Sequence, residues 1–176
     1  MLAYSAKADY SRRKIMKYIV NGLPETQKGL NAIFGEESAV AVLVVGPRGY
    51  WAEKALSSIK AVFHKKTVVF DQSYASKIAG GLPEEKIKEC LGRDDAAIVR
   101  PGHWTCNHRW RHGAVQTLKR LGAKTVVVFF MDPPIRVVLW EIYRKYVSLE
   151  ALWQVMWLKM NPPSPDGVDF LIKASE

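Results

Sequence analysis

Cysteine is nearly absent: Cys90 and Cys106 are the only two in 176 residues. Two thiols cannot staple a small fold, so a disulfide scaffold is excluded and a reducing, cytoplasmic setting is expected. Long apolar runs are missing as well. The longest, Ala39 to Val45 and Val126 to Met131, are strand-sized, far short of the ~20 residues a spanning helix needs, and no membrane partner is expected. Residues 1–14 are polar and basic, so no secretory signal is expected. Repeats and low-complexity linkers are lacking too. The most informative gap is in one charge sign. Between Asp95 and Asp132 there is no acidic residue, while Arg100, Arg109, Arg111, Lys119, Arg120 and Lys124 all fall inside.

What is present has the balance of a folded domain: 48% apolar and 24% charged residues, with a net charge of +9. That charge suits an anionic partner such as nucleic acid or nucleotide. Short β-branched runs alternate with helix-length stretches. Strands are expected at Ala39–Val45, Thr67–Phe70, Ala96–Val99, Thr125–Met131 and Val168–Ile172. Helices are expected at Tyr50–Phe63, Pro83–Leu91, Asn107–Leu121, Pro134–Tyr146 and Ser148–Met160. Pro83 suits a first helical turn, and Gly122 stops the third helix. The alternation predicts a three-layer α/β/α domain over residues 39–176, with a five-stranded, mainly parallel sheet. Residues 1–38 read as a basic extension with a helix near Tyr10–Val20.

The first central strand runs into Gly46-Pro47-Arg48-Gly49 and then a helix, which is the layout of a phosphate-binding loop. In such a loop glycines let backbone N–H groups wrap phosphates, a lysine reaches the terminal ones, and Ser or Thr holds Mg²⁺. On the pattern G-x-x-x-x-G-K-[ST], Trp51 stands at the last glycine, Ala52 at the lysine and Glu53 at the hydroxyl. Space, a cation and a metal ligand are therefore all missing, although Arg48 and Lys54 are near enough to supply charge. An ordinary strand-to-helix turn is the plainer reading of the segment by itself.

From Ala39 to Ile172 the chain resembles the polynucleotide-kinase-like branch of P-loop kinases, whose members phosphorylate nucleic-acid 5′ ends, nucleosides and related alcohols. Val68-Val69-Phe70-Asp71 is similar to the family's second strand with its general base, which implies that role for Asp71, although an acid at a strand's carboxyl end often just caps the next helix and that is the plainer reading without the phosphate loop; Tyr74 stands where an arginine usually follows. His103, Trp104 and Thr105 replace the Asp-Thr-Asn after the third strand, with Arg111 retained on the next helix. Met131-Asp132-Pro133-Pro134 fits the Asp-x-Pro after the fourth strand. The lid helix keeps part of its charge near Trp140, Glu141, Arg144 and Lys145, and Met156 to Pro162 with Asp166-Gly167-Val168-Asp169 resembles the closing signature. The resemblance implies the kinase fold, with Gly46, Arg48, Gly49, Lys54, Arg111 and Arg144 as the phosphate-binding set. The residues that would neutralise ATP·Mg²⁺ are the ones replaced, so no cofactor is expected, with ATP and Mg²⁺ as the alternative.

The stretch from Arg100 to His112 interleaves arginines with tryptophans. Arg100, His103, Trp104, Arg109 and Trp110, continued by Lys119 and Arg120, read as a nucleic-acid contact surface. The cations would neutralise phosphates while the indoles offer stacking faces. The alternative is a basic amphipathic helix with its tryptophans packed inward. His103, Cys106, His108 and His112 are too crowded locally for tetrahedral zinc, and no metal is expected. Trp153, Met156, Trp157 and Met160 recur at helical steps as one apolar stripe, either core or a subunit contact, and a homodimer through the 140–160 helices is one outcome. Three functions remain open: a catalytically degenerate kinase-like binder of nucleic acid or nucleotide, an active phosphotransferase with a rebuilt phosphate site, and a protein-interaction module using the tryptophan-rich helices.

Overall fold

The computed structural model describes residues 16–21, 38–47, 50–62, 65–71, 82–100, 108–163 and 167–175, with 16–21, 62, 108–112 and 175 described by their backbone. The two longest apolar runs, β2 (Val40–Val45) and β5 (Thr125–Met131), are buried along their whole length. The two-residue period of a strand divides each between two cores. Val40, Val42 and Val44 join Val127 and Phe129 on one face, while Ala41, Leu43 and Val45 join Val126, Val128 and Phe130 on the other. A strand apolar on both faces needs cover on both. α1 (Tyr50–Val62), α4 (Ile135–Tyr143) and α5 (Leu149–Met160) cover the first face through Trp51, Ala55, Ile59, Val138, Ala151 and Val155. α2 (Glu84–Gly92) and α3 (His108–Arg120) cover the second through Ile87, Cys90, Leu91, Ala114 and Leu118. The domain is therefore three layers, α/β/α, as expected.

All strand pairs are parallel. With β1 (Met16–Asn21), β3 (Thr67–Asp71), β4 (Ala96–Arg100) and β6 (Phe170–Ser175), the order is β1-β6-β5-β2-β4-β3. The expected five strands form the block β6-β5-β2-β4-β3. β1 adds a sixth, with Met16 opposite Phe170 and Asn21 opposite Ser175. This corrects the helix expected over Tyr10–Val20, because its second half is strand. Tyr18, Ile19 and Val20 are good strand formers, and the β6 edge offers backbone partners that local helical propensity cannot match. Residues 1–15 lie outside the described residues. β6 also starts later than expected, since Asp169 is occupied at the entry to β5: its Oδ2 accepts from the Val126 N–H at 2.8 Å, and its own N–H donates to the Val126 carbonyl at 3.0 Å.

Counted from β2, the strand order is 2-3-1-4-5, compatible with a P-loop-kinase-like α/β fold. The chain leaves β2 toward β3 on one side and leaves β5 toward β6 on the other. The carboxyl ends of these neighbours therefore mark the switch point where open α/β sheets place ligands. No helix among the described residues is long and apolar enough to cross a membrane.

Candidate functional site

Gly46 follows β2 at the switch point, and its backbone lies close against β5. A Cβ there would sit 3.0 Å from the Met131 Cβ and 3.4 Å from its carbonyl oxygen. Contact with a neighbouring strand thus accounts for this glycine without any ligand. Arg48 and Gly49 lie outside the described residues. α1 begins at Tyr50, so Trp51, Ala52 and Glu53 fall in the first turn of the helix rather than in the turn before it. Trp51 is fully buried. With Ala55 and Ile59 it forms an i, i+4, i+8 stripe against the sheet. It was expected to crowd the approach of phosphates; instead it is a core residue. Among the described residues its indole Nε1 has no hydrogen-bond partner.

Asp71 and Arg100 end the adjacent strands β3 and β4 and stand opposite each other in register. Arg100 Nε donates to Asp71 Oδ1 at 2.7 Å and Nη2 to Oδ2 at 3.1 Å, a bidentate fork. Its remaining arm, Nη1, donates to Glu53 Oε1 from the first turn of α1. The Arg100 hydrogen bonds, partly offset by burial, hold the Asp71 carboxyl below the usual carboxylate range. The guanidinium is in turn pushed up by Asp71. The residue expected to act as base and the residue expected to touch nucleic acid are therefore each other's partner. The Glu53 that replaces the magnesium hydroxyl is held by the same arginine.

On the other side of α1, Lys54 Nζ lies 4.6 Å from the centre of the Tyr50 ring. Tyr50 stacks on Tyr146 with ring centres 6.3 Å apart. Arg144 covers Tyr146 at 4.7 Å and approaches the buried Glu141 at 3.7 Å. Lys54 and Arg144, both expected in the phosphate-binding set, are thus brought to one aromatic ladder beside the helix start. An open cleft of about 310 Å³ adjoins it, lined by Tyr50, Tyr146, Ser148, Glu150 and Gln154 among others.

Sequence reasoning missed a third group. Asp132, just past β5, is buried and accepts from Lys159 Nζ at 2.6 Å, with Lys173 Nζ at 3.0 Å from its other oxygen. The Asp-x-Pro match marked Asp132. Nothing local marked Lys159 on α5 or Lys173 on β6, because the sheet alone brings them there.

The expected nucleic-acid contacts are spread out. His103 and Trp104 lie outside the described residues, and Arg109, Trp110 and Arg111 are placed by backbone in the first turn of α3. α3 starts beyond the carboxyl end of β4 and returns to the amino end of β5, so its last turn, with Lys119 and Arg120, belongs to the opposite edge. Its 13 residues span roughly 20 Å at about 1.5 Å per residue. Lys119 is exposed, and Arg120 donates to Glu84 at 2.8 Å. The acid-free window is therefore a track along a helix rather than one patch. Among the described residues no group of three or more His, Cys, Asp or Glu could hold a metal ion; the side chains of His103, Cys106, His108 and His112 are outside them.

Trp153, Met156, Trp157 and Met160 face outward, 71%, 43%, 47% and 65% exposed, while Ala151, Val155 and Leu158 face the domain. Of the two readings of this stripe, core is excluded. Comparison with protein-family models, curated proteins and solved structures gives no match for this chain.

Proposed function

We propose that this protein is a kinase-like α/β domain that has lost conventional ATP-dependent phosphoryl transfer and binds nucleic acid, or a nucleotide, through a basic face. The charge layout carries the reading. Six Lys or Arg residues occupy an acid-free window; four of them lie on α3, which runs from the carboxyl edge of the sheet to the opposite edge, while Arg100 is held by Asp71 and Glu53 and Arg120 by Glu84. The rebuilt turn supports the loss of transfer chemistry, since a fully buried tryptophan and a glutamate already held by Arg100 occupy positions that would serve a triphosphate.

Fluorescence anisotropy with labelled single- and double-stranded oligonucleotides over a salt series tests the reading. Phosphate contacts release counterions, so log affinity should fall linearly with log salt concentration. Absence of binding at low salt sinks it. Mg²⁺-dependent ATP turnover would instead favour an active phosphotransferase with Asp71 as base and Arg48, Lys54, Arg111 and Arg144 as clamps. A second reading, a protein-interaction module, is favoured by the outward tryptophans of α4 and α5.

A further inference from the structure

α5 is apolar on both sides. Ala151, Val155 and Leu158 face the domain, and Leu149, Trp153, Met156, Trp157 and Met160 face outward. On the neighbouring α4, Leu139, Trp140 and Tyr143 are 50%, 56% and 77% exposed. A helix apolar all round is normally covered all round, and monomeric soluble proteins rarely expose contiguous apolar patches above a few hundred Å². The aromatic rings of this face alone leave on the order of 500 Å² in water, taking ~200 Å² per ring. The exposed leucines and methionines bring it to the ~800 Å² per partner that a standard protein interface buries. Its composition is that of an interface centre, rich in Trp, Tyr and Met, with charge confined to the margins at Arg136, Arg144, Lys145 and Glu150, while Lys159 turns to Asp132.

We infer that this face binds a second copy of the chain, giving a two-fold dimer in which α5 packs antiparallel on its symmetry mate with Trp153 near the axis. The inference rests on the interaction-module reading. A self-complementary apolar face needs no acidic complement, and two-fold dimers are the commonest way to bury one. The mid-helix position of Trp153 sets two copies of its ring against each other when the helices run in opposite directions. The marginal cations stay at the rim, where water and salt screen their repulsion.

Sedimentation-velocity ultracentrifugation of the full chain over a concentration series is the test. The wild type is expected to be dimeric at low-micromolar concentration. Trp153→Ala should weaken the dimer about a thousandfold, because losing a hot-spot ring costs roughly thirtyfold and symmetry applies the loss twice. Trp153→Glu should be monomeric with an unchanged circular dichroism spectrum, since the ring is mostly exposed, and Lys88→Glu on α2 should remain dimeric. A monomeric wild type overturns the inference, as does a dimer indifferent to Trp153→Glu. Flotation of the protein with anionic phosphatidylserine vesicles, abolished by Trp153→Glu, would also overturn it by making lipid the occupant. If a monomeric wild type binds 8-anilinonaphthalene-1-sulfonate and Trp153→Glu does not, the dimer falls while the interaction face stands.

Discussion

Arg100 holds both oxygens of Asp71, Nε at 2.7 Å and Nη2 at 3.1 Å, across the carboxyl ends of two adjacent strands. Parallel register puts the two residues opposite each other, and the guanidinium fork matches the carboxylate plane. The pair changes the chemical character of the site. A carboxylate stabilised in its ionised form is a weaker base, and a guanidinium held by Asp71 and Glu53 has little left for a phosphate. The three side chains together carry one positive and two negative charges.

The first prediction concerns pH. Arg100 lowers the Asp71 pKa in the folded state, so the pair's stabilisation is full above the unfolded carboxylate value of about 3.9 and is lost as pH falls through the lower folded value. Arg100→Ala should destabilise by about 1 kcal/mol or less at neutral pH, because Asp71 is largely exposed and screened. The difference from wild type should shrink through the acid range. Carbon-detected NMR titration should show the Asp71 carboxyl moving up in Arg100→Ala. Arg100→Lys should recover little, since an ammonium cannot make the fork. An Asp71 titration identical in all three proteins would refute the pairing.

Trp51 separates a core role from a loop role. Trp51→Ala should destabilise by ~3–5 kcal/mol, the usual cost of emptying a buried aromatic site. Trp51→Phe should cost much less, because it also removes an N–H that is buried without a partner among the described residues, and such a group is worth about 1–3 kcal/mol of penalty. Urea melts measure both. Trp51→Gly restores the glycine of the phosphate-loop pattern and should unfold the protein rather than create ATP binding; a stable, ATP-binding Trp51→Gly variant would contradict this account.

The framework was legible because alternation carries it: β2 and β5 read as apolar on both faces and are covered on both. Asp71 was legible as an acid at a strand end, but its partner was not, since Arg100 is 29 positions further along the chain and strand register alone joins them. Lys159 and Lys173 were invisible for the same reason. β1 was misread because its strand state depends on pairing with the β6 edge rather than on a periodicity of its own. α5 carries two apolar stripes, and periodicity cannot say which of them meets the sheet. The helix start at Tyr50 was visible too, but its consequence for Trp51 appeared only once the sheet lay beside it.

Gly46 should resist replacement for a packing reason. An alanine Cβ would meet the Met131 Cβ at 3.0 Å, and β5 is a central strand that cannot retreat. Gly46→Ala should therefore destabilise by ~1–3 kcal/mol, as overpacking does. Adding Met131→Ala should give no relief, because the clashing Cβ is common to methionine and alanine. Thermal melts of the single and double variants check this, and full recovery in the double variant would point to the methionine thioether end instead.

The salt dependence of nucleic-acid binding should follow the same ion pairs. Each phosphate contact contributes about 0.9 to the log–log slope on duplex DNA. Lys119 is exposed at the end of α3, so Lys119→Ala should flatten the slope by about one unit. Arg100→Ala should leave the slope unchanged, because its charge is already taken up by Asp71 and Glu53, while affinity falls as those two acids lose their counter-charge. The double variant Glu53→Gln, Asp71→Asn releases the guanidinium and should steepen the slope by about one unit. Trp104→Ala should weaken single-strand binding by roughly 1–3 kcal/mol with no change in slope, since stacking carries no charge. If Arg100→Ala alone flattens the slope as Lys119→Ala does, Arg100 contacts phosphate directly, and the Asp71 pair must open when nucleic acid binds.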